Sequence, residues 1–116
     1  MTNSNKQKGD KAEREAAELL SDLIGSPCRR KLGAGRQDDT GDIDGVPNTT
    51  IQVANWKDTA QAAIQKPKGA EQQRMNAGEP FAMTLVRFKG GTYRVVLTPE
   101  QWLAYHQASK THTFCQ

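Results

Sequence analysis

The sequence predicts an α+β domain in which a mixed β-sheet is flanked by helices. Three observations carry that expectation. Apolar residues recur at helical spacing near the start of the chain, and short β-rich segments follow in its middle. A Gly90-Gly91 pair then separates two further strand-like runs. Beyond them, Thr98-Pro99-Glu100-Gln101 carries the marks of a helix start. With 116 residues, the chain is long enough for one domain and too short for two.

Taken in order, residues 1–7 are polar and read as a flexible N-terminus, ahead of a single domain over 8–107. A helix is expected from about Gly9 to Ile24, because Ala12, Ala16, Leu19, Leu20, Leu23 and Ile24 fall within an arc of roughly 140° at ~100° per residue. Gly25, Ser26 and Pro27 end it. Cys28 to Leu32 reads as a short strand, and Gly33 to Gly41 as a mobile loop. Ile43 and Val46 precede a Pro47-Asn48 turn, and Thr50 to Trp56 is strand-like. A polar helix from about Asp58 to Ala77 is expected to be interrupted or kinked at Pro67. Phe81 to Phe88 and Thr92 to Leu97 are strands, joined through Gly90-Gly91 as a two-residue turn with positive φ at both positions. In the last helix Thr98 is the N-cap, Pro99 takes the first position and Gln101 closes a capping box. That helix runs to about Gln107, with 108–116 a flexible tail.

Composition narrows the function classes. Apolar residues make up 35% of the chain and aromatics 6%, so the core must be small. No apolar run approaches the roughly 20 residues of a membrane span, and MTNSNKQKGDK has no apolar stretch behind its basic residues, unlike a signal peptide. Two cysteines, Cys28 and Cys115, are too few for a disulfide framework; a reducing, cytoplasmic setting is expected. The net charge of +3 is modest, but its arrangement is informative. Basic residues cluster at Lys6, Lys8, Lys11 and Arg14, then at Arg29, Arg30, Lys31 and Arg36. Asp38, Asp39, Asp42 and Asp44 lie within seven residues of one another. An acidic knot beside basic runs suits a cation site next to a polyanion, and equally a set of solvated loops.

Several residues stand out against their surroundings. Glu13 falls inside the apolar arc of the first helix, where a carboxylate must be paired, protonated or bound to a metal, or must snorkel. In GDIDG, Asp42 and Asp44 face one side of a strand, as a metal ligand and a rim residue or as two turn-forming aspartates. A calcium loop is rejected: with Gly45 at the glycine position, Thr40 and Ile51 occupy the places of the first and last ligands. In IQVANWK, alternation puts Gln52, Ala54 and Trp56 on one face and Ile51, Val53 and Asn55 on the other, so a buried Gln52 amide needs partners. A two-residue hairpin turn sets Arg87 opposite Arg94. That pair either splays into water or shares an anion, for which phosphate is the best match.

The succession KGDKAERE, RRKLGAG, GDID and IQVANWK resembles the small Holliday-junction resolvases of the PD-(D/E)xK nuclease superfamily, of archaeal and phage type. The resemblance covers Lys8 to Lys57 and implies a restriction-endonuclease-like core. It implies Glu13 as a helix-borne ligand, Asp42 as the central ligand and Gln52 as a third, all three catalytic, for Mg²⁺ or Mn²⁺. The chain departs from the family at the E-x-K positions, where Gln52 replaces the carboxylate and Ala54 the lysine. By simple alternation Lys57 lies on the wrong face to substitute; a bulge, or Lys66 or Lys68 of the following helix, could do so, and the Asp38–Asp39 loop and Asp44 could supply the missing charge. The implied activity is a metal-dependent endonuclease on branched or duplex DNA, working as a homodimer, with no membrane partner. Arg29, Arg30, Lys31, Arg36, Lys57, Arg87 and Arg94 are the expected DNA contacts. The alternative is an inactive module, needing no metal, that binds DNA or a replication or recombination protein. Gln101 to Tyr105 (QWLAY) faintly suggests a sliding clamp as that protein.

Overall fold

The computed structural model describes residues 4–31 and 40–113. Its elements follow the expected order: α1 (Ser4–Ile24), β1 (Arg29–Arg30), β2 (Ile43–Asp44), β3 (Thr49–Ala54), α2 (Thr59–Ala77), β4 (Phe81–Phe88), β5 (Thr92–Val96) and α3 (Pro99–Thr113). The five strands lie in one mixed sheet in chain order. β3 and β4 run parallel, and the other neighbours are antiparallel. The parallel step is where α2 crosses over, since two parallel strands cannot be joined by a tight turn.

Two small apolar clusters sandwich the sheet. On one face Ala12, Ala16 and Leu20 of α1 pack on Ile43, Ile51, Val53 and Leu85. On the other, Ala54 and Val86 meet Ala62 of α2. The alternation expected for IQVANWK thus holds through Ala54. The alanine-rich face of α1 lets the helix backbone approach the sheet closely. In its last turn Leu23 is 73% and Ile24 44% exposed, instead of in the core.

Several expected boundaries shift. α1 begins at Ser4 rather than Gly9, within the segment expected to be flexible, where the polar SNKQK carries no apolar periodicity to read. α3 continues to Thr113 rather than Gln107, into the expected tail, where the polar SKTHT likewise carries none. α2 runs through Pro67 without interruption; the proline is buried. Its ends are set as the sequence suggests, by an Asp58 side chain accepting from the Gln61 N–H at 3.0 Å and by Gly78 in the left-handed region. The Thr98–Gln101 capping box also forms: Thr98 Oγ1 accepts from Gln101 N at 3.0 Å and Gln101 Oε1 from Thr98 N at 2.9 Å. The Gly33–Gly41 loop falls almost wholly outside the described residues.

The hairpin register differs by one. Phe88 pairs with Thr92, Arg87 with Tyr93 and Val86 with Arg94. Lys89 joins Gly90 and Gly91 in a three-residue turn, closed by Gly91 N–H donating to Phe88 O at 3.0 Å. Both glycines do have positive φ. Arg87 and Arg94 therefore point to opposite faces and share no anion.

Candidate functional site

Asp42 owes its position to the two glycines around it. Gly41 and Gly45 both have positive φ, and a Cβ on Gly45 would lie 2.5 Å from Pro27 O. Only glycine allows the chain to turn into and out of β2 there. Asp42 N–H donates to Ile51 O at 2.7 Å, and its Oδ2 accepts from Val53 N–H at 2.8 Å. The carboxylate is thereby anchored against β3.

Asp42 lines a cleft of about 640 Å³ together with Glu13 and Gln52, so the three expected ligands border one cleft. Glu13 sits on α1 with its Oε1 3.2 Å from Arg30 Nε, while Arg30 Nη2 reaches Asp10 Oδ1 at 2.9 Å. The pairing expected for a carboxylate on the core-facing shoulder is thus present. Gln52 is 6% exposed, and its Oε1 is buried without a hydrogen-bond partner among the described residues. A buried acceptor left unsatisfied typically costs about 1–3 kcal/mol.

These donors fit a hard divalent cation. Two carboxylates and an amide oxygen are oxygen ligands of the kind that Mg²⁺ or Mn²⁺ prefers. Among the described residues no group of three His, Cys, Asp or Glu side chains could hold a metal; the third donor here is an amide. Asp44 is exposed on β2, paired in register with Arg29, and is not a lining residue of this cleft. Asp38 and Asp39 lie outside the described residues.

Lysines also reach the cleft. β3 ends at Ala54, so strand alternation no longer governs Lys57, which lines the cleft rather than facing away from it. Lys66 lines it too, its Nζ 5.5 Å from the centre of the Trp56 ring. Lys68 is not among the lining residues. Ala54, at the family's lysine position, is 1% exposed and packed with Ala62 and Val86.

The expected DNA contacts scatter. Arg30 is held by Glu13 and Asp10, and Lys31 Nζ donates to Thr40 O at 2.7 Å. Arg29 and Arg94 are exposed; Arg36 lies outside the described residues. Arg87 Nε lies 2.7 Å from Glu15 Oε1, and the Tyr93 hydroxyl lies 2.9 Å from the same oxygen and from Ala12 O. The Arg87 hydrogen bond holds the Glu15 carboxyl below the usual range, and burial pushes the Tyr93 hydroxyl well above its own. This cluster ties α1 to the hairpin. Lys8, Asn55 and Trp56 also line the cleft, and sequence reasoning gave them no role there. The only hint was a lysine at the start of the first helix and an aromatic just past a buried strand.

Gln101, the glutamine of QWLAY, is 4% exposed; besides the cap, its Nε2 donates to Pro67 O at 3.1 Å and Glu71 Oε2 at 2.9 Å. It is not on the surface for a clamp to take, whereas Trp102 and Leu103 are exposed. No helix among the described residues is long and apolar enough to cross a membrane. Comparison of the chain with family models, curated proteins and solved structures finds no match.

Proposed function

We propose that the chain is a metal-dependent DNA endonuclease with a restriction-endonuclease-like core, similar to the small Holliday-junction resolvases and acting on branched or duplex DNA. The observation that carries this reading is the cleft that Glu13, Asp42 and Gln52 line together with Lys57 and Lys66. Those three residues would hold Mg²⁺ or Mn²⁺, less tightly than a site with three carboxylates. When bound, such an ion supplies Lewis-acid activation of water and offsets charge on the phosphate. The chain's own groups do the remaining work. Asp42 is oriented by Val53 N–H and Glu13 by Arg30. Lys57 and Lys66 bring positive charge to the cleft, attracting the phosphodiester and offsetting charge that develops on it, in place of the lysine missing at Ala54. Symmetric cutting of two strands calls for a homodimer.

A second reading keeps the fold and discards cutting: an inactive module that binds DNA or a replication or recombination protein such as a sliding clamp. Two observations favour it. Ala54 is sealed in an apolar cluster, and Arg30 already neutralises Glu13. Exposed Trp102 and Leu103 would be its protein-binding surface.

Cleavage and gel-shift assays on a four-way junction, with Mg²⁺, Mn²⁺ or EDTA, separate the two. The first reading expects metal-dependent cutting that Asp42→Ala abolishes, with binding in EDTA retained. Binding without cutting, unaltered by Asp42→Ala, would support the second. Absence of binding to any DNA would refute the first reading and leave only the protein-binding form of the second.

A further inference from the structure

The cleft does not stop at its acidic end. Beyond Trp56 lies a second chamber of about 360 Å³, which shares Lys8, Asn55, Trp56 and Lys57 with the first and adds Thr59, Arg87, Phe88 and Lys89. Glu13, Asp42 and Asp58 all line the first chamber, and no described carboxylate lines the second. Its character is therefore different: three lysines, two aromatic rings and Arg87, whose charge Glu15 already meets. Trp56 is 37% and Phe88 36% exposed, in a chain whose aromatics are only 6% of its residues. Lys66 stands over the Trp56 ring, so cationic charge already accompanies that indole.

Exposed rings along a basic groove recognise unpaired bases. In a duplex the base faces are stacked on one another, and only phosphates, sugars and base edges are offered. In a single strand each base presents a π-face that an aromatic side chain can cover, while lysines follow the backbone. The Asp42 end of the trough suits a cation and a phosphate; the Phe88 end suits bases.

We propose that this second chamber is a single-strand subsite, in which Trp56 and Phe88 stack on unpaired bases and Lys8, Lys57 and Lys89 contact their phosphates. The subsite rests on the DNA-directed reading above and makes its substrate specific: DNA with an unpaired segment adjoining the scissile phosphate. A blunt duplex is then the poorer ligand.

The test uses fluorescence in EDTA, where binding is read without cutting. Trp102→Phe, on α3 and away from both chambers, leaves Trp56 as the sole indole. Oligothymidylate should quench its emission saturably, and a duplex with an unpaired tail should bind more tightly than the same duplex made blunt. In the two-tryptophan chain, Trp56→Leu should weaken oligothymidylate binding about 5- to 150-fold by fluorescence anisotropy of a labelled strand. Phe88→Leu should weaken it similarly, and both should leave blunt-duplex binding within a few-fold. Thermal melting of each variant confirms that it folds. Unchanged Trp56 emission with equal affinity for tailed and blunt duplexes would overturn the subsite. So would equal losses on single-strand and duplex ligands, which would mark a backbone contact rather than stacking. Quenching without cleavage of any substrate would instead sink the nuclease reading and leave the subsite standing.

Discussion

Replacing Gln52 by Glu returns the charge that the cleft lacks and makes stability depend on a divalent ion. Gln52 is 6% exposed and its Oε1 has no donor among the described residues, so the new carboxylate would enter the same buried place without a partner there. Desolvation disfavours its charged form, and Glu13 and Asp42 in the same cleft add like charge. Lys57 and Lys66 oppose them, which argues for a rise of about 2 units rather than the 3–5 seen for fully isolated groups. At 1.36 kcal/mol per unit, the cost is roughly 3 kcal/mol near neutral pH. The sign follows from linkage. A carboxyl whose folded pKa is raised destabilises nothing below its unfolded value near ~4.3, and the cost grows as pH rises towards the folded value. Without divalent ion, Gln52→Glu should therefore melt roughly 10–15 °C below wild type near neutral pH and close to it in mild acid. Mg²⁺ at about a hundred times its Kd should restore about 2.7 kcal/mol. Differential scanning fluorimetry across pH, in EDTA and in Mg²⁺, reads all of this. If the variant melts with wild type at neutral pH in EDTA, and Mg²⁺ stabilises the two equally, the cation-site reasoning is refuted.

Other perturbations test the supports of the site. Arg30→Ala removes the partner of Glu13 and Asp10, each pair about a quarter exposed. It should cost about 1 kcal/mol in urea unfolding and, by releasing Glu13, tighten Mn²⁺ binding measured calorimetrically. Glu15 is held below the usual carboxylate range first by its hydrogen bond to Arg87, so its stabilisation is present above the unfolded pKa and lost as pH falls through the folded one. Glu15→Gln should flatten the acid limb of the melting-temperature curve and leave the limb above neutrality unchanged. Thr98→Ala deletes one half of the α3 capping box and should cost about 1 kcal/mol in urea unfolding, with DNA binding by gel shift unaffected.

The order of the elements was legible because apolar period, glycines and caps agreed with one another. Phe81–Phe88 has the bounds its β-rich run suggests, and the Thr98–Gln101 box is written in four residues. Glu13, Asp42 and Gln52 were legible because each is polar where its neighbours are buried. The hairpin register was not, because Gly-Gly fits a two-residue turn as well as a three-residue turn that includes Lys89, and only backbone hydrogen bonding chooses. The helix termini were hidden for a related reason: the polar runs SNKQK and SKTHT have no apolar pattern to read. Lys57 was misplaced because alternation was extended past Ala54, where the strand had ended. Trp56 and Phe88 are common core residues, and only their exposure in the folded chain separates them from the core.

The most direct test of the cation site is Mn²⁺ binding to the wild-type chain, followed by electron paramagnetic resonance and repeated on Asp42→Asn. The substitution keeps the side chain's shape and an oxygen able to accept from Val53 N–H. A single saturable site per chain, displaced by Mg²⁺ and lost in Asp42→Asn, is the expected result. Absence of saturable binding, or binding that Asp42→Asn leaves unchanged, would contradict the assignment of Glu13, Asp42 and Gln52 as its ligands.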